Sequence, residues 1–270
     1  MIQAITFKNL KRAFSLGTKL VLITGFLFSL NACKKDSGSG STTTEDDGLL
    51  PGQCRVIVHD SDAITYSGTK ITGFGNYKYT YKDTLVSVAD AKSDSMTYKF
   101  SMNKSGFPAS VGAWGFQDTI PFAYMLFYYN ADNTLRKSVE FTRFGDKYTV
   151  SGKNLYTWTA GNLTRILNFG SDTSVQTNQF NVVYDLTKTD TRKTFKQQIL
   201  LNSPIYANDL MEGVSSVNLP SSIQQIITGG STYYNKMAYV FDAKNNVTLE
   251  TYQDATNAEI YHLRYTYQCK

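Results

Sequence analysis

Aromatic and polar side chains alternate along short stretches of the chain from residue 54 onwards. Around residues 155–169, Tyr156 and Trp158 are two positions apart and fall on one face of an extended strand. Gly161 and Asn162 follow, and both residue types accept the positive φ of a tight turn, after which an apolar stretch returns. The pattern predicts a β-hairpin.

The same alternation recurs at Tyr77, Tyr79 and Tyr81, with Lys78 and Thr80 on the opposite face. This pattern is typical of a half-buried antiparallel strand. Further strands are predicted at residues 55–58, 85–88, 96–102, 124–130, 135–144, 179–184 paired with 192–200, 239–241, 247–252 and 260–267. The chain is therefore expected to be all-β, a large antiparallel meander of successive hairpins that forms a curved sheet or a barrel.

Two segments near residues 205–228 carry helical signals instead. Residues 204–212 begin with a proline and could form a helical turn. Residues 220–227 also begin with proline, space Ile223, Ile226 and Ile227 at i, i+3 and i+4, and precede two glycines. One or two short helices are predicted here.

The first 32 residues have the organisation of a signal peptide. A basic start precedes an apolar run from Leu20 to Leu30, which is shorter than the roughly 20 residues of a spanning helix. Leu30-Asn31-Ala32-Cys33 resembles the lipobox of bacterial lipoproteins, which implies cleavage before Cys33 and its acylation with membrane lipid. The alternative is an ordinary secretory signal with an incidental cysteine.

The remaining chain divides into a tether and one domain. Residues 33–53 are predicted to be the lipidated cysteine and a flexible tether, because residues 34–48 cannot bury enough apolar surface to form a core, whereas residues 54–270 are predicted to be a single antiparallel β domain. The resemblance to lipoproteins favours the outer membrane, because Lys34 stands where an acidic residue is associated with inner-membrane retention. The leaflet stays open, with the cell surface preferred over the periplasmic face.

The charge of the mature chain is nearly balanced. The formal net charge is +5, but four of the 27 basic residues lie in the leader, and the remaining 23 face 22 acidic residues. A clustered basic excess is what attracts nucleic acid or anionic lipid in general. No nucleic-acid partner is expected.

Two cysteines remain if Cys33 carries lipid. Cys54 and Cys269 lie at opposite ends of the domain in an oxidising compartment, which predicts a disulfide, with two buried free cysteines as the alternative. If these cysteines face each other, His59 is opposite Arg264 and diagonal to His262. Exposed strand-end histidines are expected, with a two-histidine metal site as the alternative, and no metal or cofactor is predicted.

Two stretches resemble a known repeat. The sequences from Trp158 to Leu163 and from Phe241 to Val247 look like the aromatic-Asp-x-x-Gly-Asn-Leu core of YD-type repeats, although the second has Asn in place of Gly. With residues 216–220, they are similar to uncharacterised Bacteroidota lipoproteins that have a YD-repeat-like domain, described as having a porin-like β fold. The resemblance covers about residues 54–269 and implies no catalytic residues.

The sequence contains no recognisable catalytic set. Ser/His/Asp order, metal-binding helices and phosphate loops are lacking. A glycoside-active enzyme would need paired carboxylates, for which the candidates are Asp118, Glu140, Asp185 and Glu250. A structural envelope lipoprotein and a channel component are further alternatives. An integral porin is not favoured, because Lys78 and Lys82 share the face away from the tyrosines.

The preferred interpretation is a non-enzymatic binding or interaction module whose partner is a glycan or an envelope protein. Tyrosine and tryptophan rings stack on sugar rings, which makes Trp114, Tyr77, Tyr79 and Tyr81 the candidate ligand residues. Filling of the sheet core is the alternative role for each of them. The glycines near Trp114 predict an exposed loop or bulge at that position.

Overall fold

The computed structural model describes residues 48–92, 96–192 and 216–270. Over these residues the chain forms sixteen antiparallel strands, each paired with the next along the chain, and β16 pairs with β1 to close a barrel. The predicted meander is confirmed. No helix in these ranges is long and apolar enough to cross a membrane. The strands are β1 Cys54–His59, β2 Asp62–Ser67, β3 Lys70–Phe74, β4 Tyr77–Lys82, β5 Leu85–Asp90, β6 Met96–Met102, β7 Pro108–Gly115, β8 Ala123–Tyr129, β9 Leu135–Phe144, β10 Lys147–Thr159, β11 Asn162–Phe169, β12 Gln176–Thr189, β13 Asn218–Ile227, β14 Thr232–Phe241, β15 Val247–Gln253 and β16 Glu259–Cys269.

A disulfide marks one end of the barrel. Cys54 at the start of β1 lies opposite Cys269 at the end of β16, with 4.1 Å between their Cα atoms, and the two are covalently joined. The predicted disulfide is confirmed, and it locks the seam where the barrel closes. We call this rim the disulfide end and the opposite rim the far end.

The interior of the barrel is closed at the disulfide end. There the inward aliphatic side chains near the start of the odd-numbered strands are at most 3% exposed. At the far end accessibility differs from strand to strand: along β4 Tyr79 is 5% exposed and Tyr77 is 36% exposed, whereas Phe74 of β3 and Ala123 of β8 stay buried. We call the lumen, which is closed at the disulfide end and accessible along part of the far end, the cup. The buried aliphatic residues at its base include Val56, Ile71, Leu135, Leu163, Leu219 and Val247.

Aromatic side chains tie neighbouring strands together near the disulfide end. Seven of the even-numbered strands carry an aromatic residue whose O–H or N–H donates to a backbone carbonyl of the preceding strand. These bonds satisfy carbonyls where register shifts interrupt the ladder, and they account for much of the tyrosine content. The pairs are Tyr66 with Val56, Tyr81 with Ile71, Tyr129 with Pro108, Trp158 with Leu135, Tyr184 with Leu163, Tyr239 with Pro220, and Tyr267 with Val247.

The predicted helix at residues 220–227 is wrong, because these residues lie within β13. Ile223 pairs with Val182 of β12, and its alternation places Ile226 on the other face, so isoleucine spacing suited a strand as well as a helix. Pro220 sits at a register shift opposite Tyr184, where the missing N–H breaks no ladder bond. The helical turn predicted at 204–212 lies outside the described residues.

Two turn predictions also need correction. In the hairpin of β10 and β11, Ala160 and Gly161 take positive φ values of 50° and 76°, one residue earlier than predicted. Asn162 instead begins β11 and is buried, and its Nδ2 donates to Asn218 Oδ1 at 3.0 Å. The predicted pairing of β12 with residues 192–200 is wrong, because β11 and β13 occupy both edges of β12 and Arg192 lies in a turn.

Candidate functional site

A buried ionic cluster lies inside the barrel, in the connection that follows β12. Arg192 is fully buried, and its guanidinium donates to Asp190 Oδ1 at 2.9 Å and Oδ2 at 3.1 Å. It also donates to Glu250 of β15 and, at 3.0 Å, to the Tyr265 hydroxyl of β16. The Tyr239 ring of β14 lies 5.5 Å from the guanidinium carbon. One side chain therefore connects the end of β12 to three other strands, β14, β15 and β16.

The charges of this cluster hold one another in place. Burial by itself lowers the pKa of Arg192, but Glu250, Tyr265 and Asp190 together outweigh it and the pKa lies well above its ordinary value. Burial also raises the pKa of Tyr239 and Tyr265, so both hydroxyls stay protonated and can donate. The cluster is therefore a paired set of charges at the inner base of the cup.

A row of polar side chains crosses the inner wall from β9 to β11. Ser138 shares a hydrogen bond of 3.1 Å with the Tyr156 hydroxyl and accepts one from Asn154 Nδ2. Asn168 Nδ2 donates in turn to Asn154 Oδ1 at 2.6 Å. The other amide atom, Asn168 Oδ1, is buried and accepts from no described residue. This wall presents amide groups rather than aliphatic ones.

Tyrosines of β4 and of the adjacent strands β14, β15 and β16 lie at the mouth of the cup at the far end. Tyr233 of β14 and Tyr261 of β16 have inward positions in the strand register and are 53% and 43% exposed. Tyr252 of β15 stacks on Tyr261 with ring centroids 4.2 Å apart and planes at 14°. Together with Tyr77 on β4, these rings form the mouth of the cup.

Sequence reasoning identified one of these four tyrosines. Tyr77, Tyr79 and Tyr81 all point inward, but only Tyr77 reaches the mouth, since Tyr79 is buried in the core and the Tyr81 hydroxyl bonds to Ile71. Tyr252 and Tyr261 could have been found by pairing the last two predicted strands. The buried position of Arg192 could not be predicted, because nothing in the neighbouring sequence distinguishes it from a surface arginine.

Trp114 is not in a loop. It lies within β7 and faces outwards, opposite Thr97 of β6, with its ring over Gly112, where an added Cβ would come within 2.5 Å of the ring. The Lys99 ammonium lies 4.6 Å from the ring centroid. The loop prediction was wrong because the glycine makes room for the tryptophan instead of breaking the strand. The ring belongs to the outer wall.

The candidate carboxylates are dispersed. Glu140 points inward opposite Met125, and burial raises its pKa and outweighs the opposing influence of the nearby Ser151 hydroxyl. Glu250 is engaged by Arg192, whereas Asp118 accepts from the backbone N–H of Gly115. The Asp185 carboxylate, near the end of β12, accepts hydrogen bonds from the backbone N–H and the hydroxyl of Thr187. It also forms an ion pair with Lys188 at 3.0 Å.

The two histidines lie on opposite faces of the wall. A register shift between Val56 and Val58 places His59 opposite Tyr265, not opposite Arg264, so that predicted register is wrong. His59 packs inside against Tyr265, and burial lowers its pKa. His262 is on the outer face, 2.6 Å from Glu259. The two imidazoles cannot share a metal ion.

Solved structures with a similar fold are porin-like barrels. A porin-like protein from Bacteroides vulgatus matches with a TM-score of 0.60 and 14% identity, covering 80% of this chain and 99% of its own. A porin-like protein from Bacteroides uniformis matches with a TM-score of 0.52 and 14% identity, covering 80% and 96%. No family model matches the sequence. No curated protein matches it either. These similarities show a porin-like β-barrel fold.

Proposed function

We propose that this protein is a non-enzymatic binding module of the outer membrane, anchored through acylated Cys33, with the far-end mouth of the barrel as its ligand site. The observation that carries the proposal is the one-ended lumen. Its base is sealed by buried aliphatic side chains and by the Arg192 cluster, while the inward tyrosines at the far end are exposed. A closed base with an accessible aromatic mouth suits capture better than conduction.

A glycan is the leading ligand class. Tyrosine rings offer flat faces for the apolar faces of sugar rings, and their hydroxyls bond to sugar hydroxyls. The mouth supplies Tyr77, Tyr233 and Tyr261, and amides of the inner wall lie deeper. Exposed rings at the entrance and polar groups inside are the arrangement expected of a small-ligand site.

The distribution of side chains favours a barrel that lies outside the lipid core and disfavours a membrane-spanning channel. A transmembrane barrel is apolar outside and polar inside. Here the inner face holds the hydrophobic core, and the outer face of β4 carries Lys78, Thr80 and Lys82. At β4 this is the reverse of the pattern that a lipid-embedded porin requires along every strand.

The carboxylates support binding over glycoside hydrolysis. That chemistry needs two carboxyl groups flanking the scissile bond. Glu250 is bonded to Arg192 and Tyr265, and Asp118 and Asp185 are bonded to nearby backbone N–H groups. Of the four candidate carboxylates only Glu140 remains, and none of the other three is available to act with it as the second catalytic carboxyl group.

A glycan array tests the ligand class. The mature protein carrying Cys33→Ala is compared with the variants Tyr233→Ala and Tyr234→Ala. These neighbours are 53% and 40% exposed, but they point to opposite faces of β14. Tyr233→Ala should weaken glycan binding by about tenfold, since a stacking contact is worth roughly 0.5 to 1.5 kcal/mol beyond its area. Tyr234→Ala should leave it unchanged.

Equal loss in both tyrosine variants, or an array without any bound glycan, would reject the mouth as a sugar site. Turnover of a polysaccharide by the purified protein would reject the non-enzymatic assignment. The anchor has its own test, because in a high-salt wash, which weakens electrostatic contacts with lipid, Cys33→Ala should move the protein from the membrane fraction to the soluble fraction. Failure of a fatty-acid analogue to label the unaltered protein would contradict the acylation.

A further inference from the structure

One part of the outer wall is apolar and basic. The outward positions of β8, β9, β10 and β11 follow from strand alternation and from the pairing of each strand with the next. Ten of these positions are aliphatic or aromatic, four are basic and none is acidic. We call this surface the basic-apolar wall. Its apolar members are Tyr124, Leu126, Tyr128, Val139, Phe141, Tyr148, Val150, Leu155, Leu167 and Phe169, and its basic members are Lys137, Arg143, Lys153 and Arg165.

The rings of this wall pack as a continuous layer. Tyr124 stacks on Phe141 with centroids 4.5 Å apart and planes at 11°, and the Tyr148 ring meets Tyr124 edge-on at 4.9 Å. Leu126 pairs with Val139 beside them. Each ring or side chain covers part of its neighbour, so the layer forms a flat surface and not a set of isolated apolar residues.

The basic side chains of this wall lack neutralising partners. The Lys137 ammonium lies 4.2 Å from the Tyr128 ring centroid and the Lys153 ammonium lies 4.1 Å from that of Phe169. Among the described residues no carboxylate forms an ion pair with these lysines, with Arg143 or with Arg165. The near-neutral total charge therefore conceals a local positive surface.

The outer wall of β4 to β6 has a different composition. Outward positions of β4, β5 and β6 include one large apolar residue, Leu85, which is 36% exposed. The rest are Lys78, Thr80, Lys82, Ser87, Ala89, Thr97, Lys99 and Ser101. Positive charge is present on both walls, so the combination with an apolar layer is what distinguishes the basic-apolar wall.

We propose that the basic-apolar wall docks on an anionic lipid surface, so that the barrel lies with its side against a membrane. Aromatic and aliphatic side chains enter the boundary between headgroups and acyl chains, and lysine and arginine reach the phosphates. The polar wall of β4 to β6 stays in water, which restricts the contact to one side and excludes a spanning arrangement. Charge complementarity selects an anionic lipid surface over a neutral one.

Vesicle sedimentation tests this docking. The probes are vesicles of phosphatidylcholine alone and of phosphatidylcholine mixed with phosphatidylglycerol, and the protein is the mature chain with Cys33→Ala, which removes the lipid anchor. It should bind the mixed vesicles and not the neutral ones. Lys137→Glu combined with Lys153→Glu should weaken binding by at least about thirtyfold, from about 1 kcal/mol for each basic residue near the surface.

The matched control is Lys78→Glu combined with Lys82→Glu, which makes the same charge change on the polar wall and should leave binding within about threefold. Leu167→Ser tests the apolar part and should weaken binding without altering charge. Equal losses in the two lysine pairs, no effect of Leu167→Ser, or no binding of the parent protein would each overturn the proposal. None of these results depends on a glycan, so the mouth is tested separately.

Discussion

Replacing Arg192 by methionine tests whether the buried ionic cluster holds the base of the barrel together. The guanidinium is fully buried and makes bonds to Asp190, Glu250 and Tyr265. Methionine fills much of the same volume, so little of the effect should come from a cavity. What remains is a pair of buried carboxylates without a counter-charge, and breaking a buried ion pair in this way costs about 3 to 5 kcal/mol.

Urea unfolding of the mature protein with Cys33→Ala, followed by tryptophan fluorescence, measures this loss. Arg165→Met is the control, because Arg165 lies on the outer face and its nearest polar contact is Thr157 Oγ1 at 3.4 Å. It should change the free energy of unfolding by less than about 0.5 kcal/mol. The comparison separates loss of a buried charge from loss of any arginine.

A second substitution checks the electrostatic cause. Adding Glu250→Gln to Arg192→Met removes one of the two uncompensated charges, while the amide oxygen can still accept from Tyr265. The double variant should recover at least about 1 kcal/mol relative to Arg192→Met. A cost below about 1 kcal/mol for Arg192→Met, or a double variant no more stable than the single one, would refute the account.

Three further expectations concern stability. Reducing the Cys54–Cys269 disulfide should lower the free energy of unfolding by about 2 to 5 kcal/mol, measured by urea titration with and without reductant, and unchanged unfolding would contradict its role at the seam. Trp158→Ala should lower the free energy of unfolding by about 3 to 5 kcal/mol, measured by thermal or urea unfolding. The outward Trp114→Ala should lower it by about 1 kcal/mol. A larger loss for Trp114→Ala than for Trp158→Ala would show that the inward ring is dispensable. A hydrogen bond from the Thr187 hydroxyl lowers the pKa of Asp185 from 3.8 to about 2. The contribution of ionised Asp185 to the stability of the fold is therefore present above pH 3.8 and is lost as pH falls towards 2. Asp185→Asn should flatten the stability profile in that window, and identical profiles would count against this.

Local pattern was enough to predict most of the strands. A strand has a side-chain period of two, so Tyr77, Tyr79 and Tyr81 revealed β4 without any knowledge of neighbouring strands. The limits of β9 at residues 135 and 144 were likewise predicted from the local pattern. The disulfide was predictable because few cysteines remained to pair.

Local pattern failed where one sequence suits two backbones. Proline followed by spaced isoleucines at residues 220–227 is compatible with a helix, but neighbours on both edges make it β13. The glycine before Trp114 suggested a loop, whereas a ring folded over Gly112 leaves the strand intact. In both cases contacts distant in sequence outweighed local preference.

Tertiary structure alone decided what lies inside and outside. Alternation divides each strand into two faces, but it does not say which face is enclosed until β16 pairs with β1 and the sheet closes. A single register shift beside Val56 placed His59 against Tyr265, and closure brought Glu250 to Arg192, 58 residues away in sequence. These outcomes depend on long-range pairing energies that no local stretch of sequence contains, which is why the cup, its sealed base and the basic-apolar wall emerged only from the folded barrel.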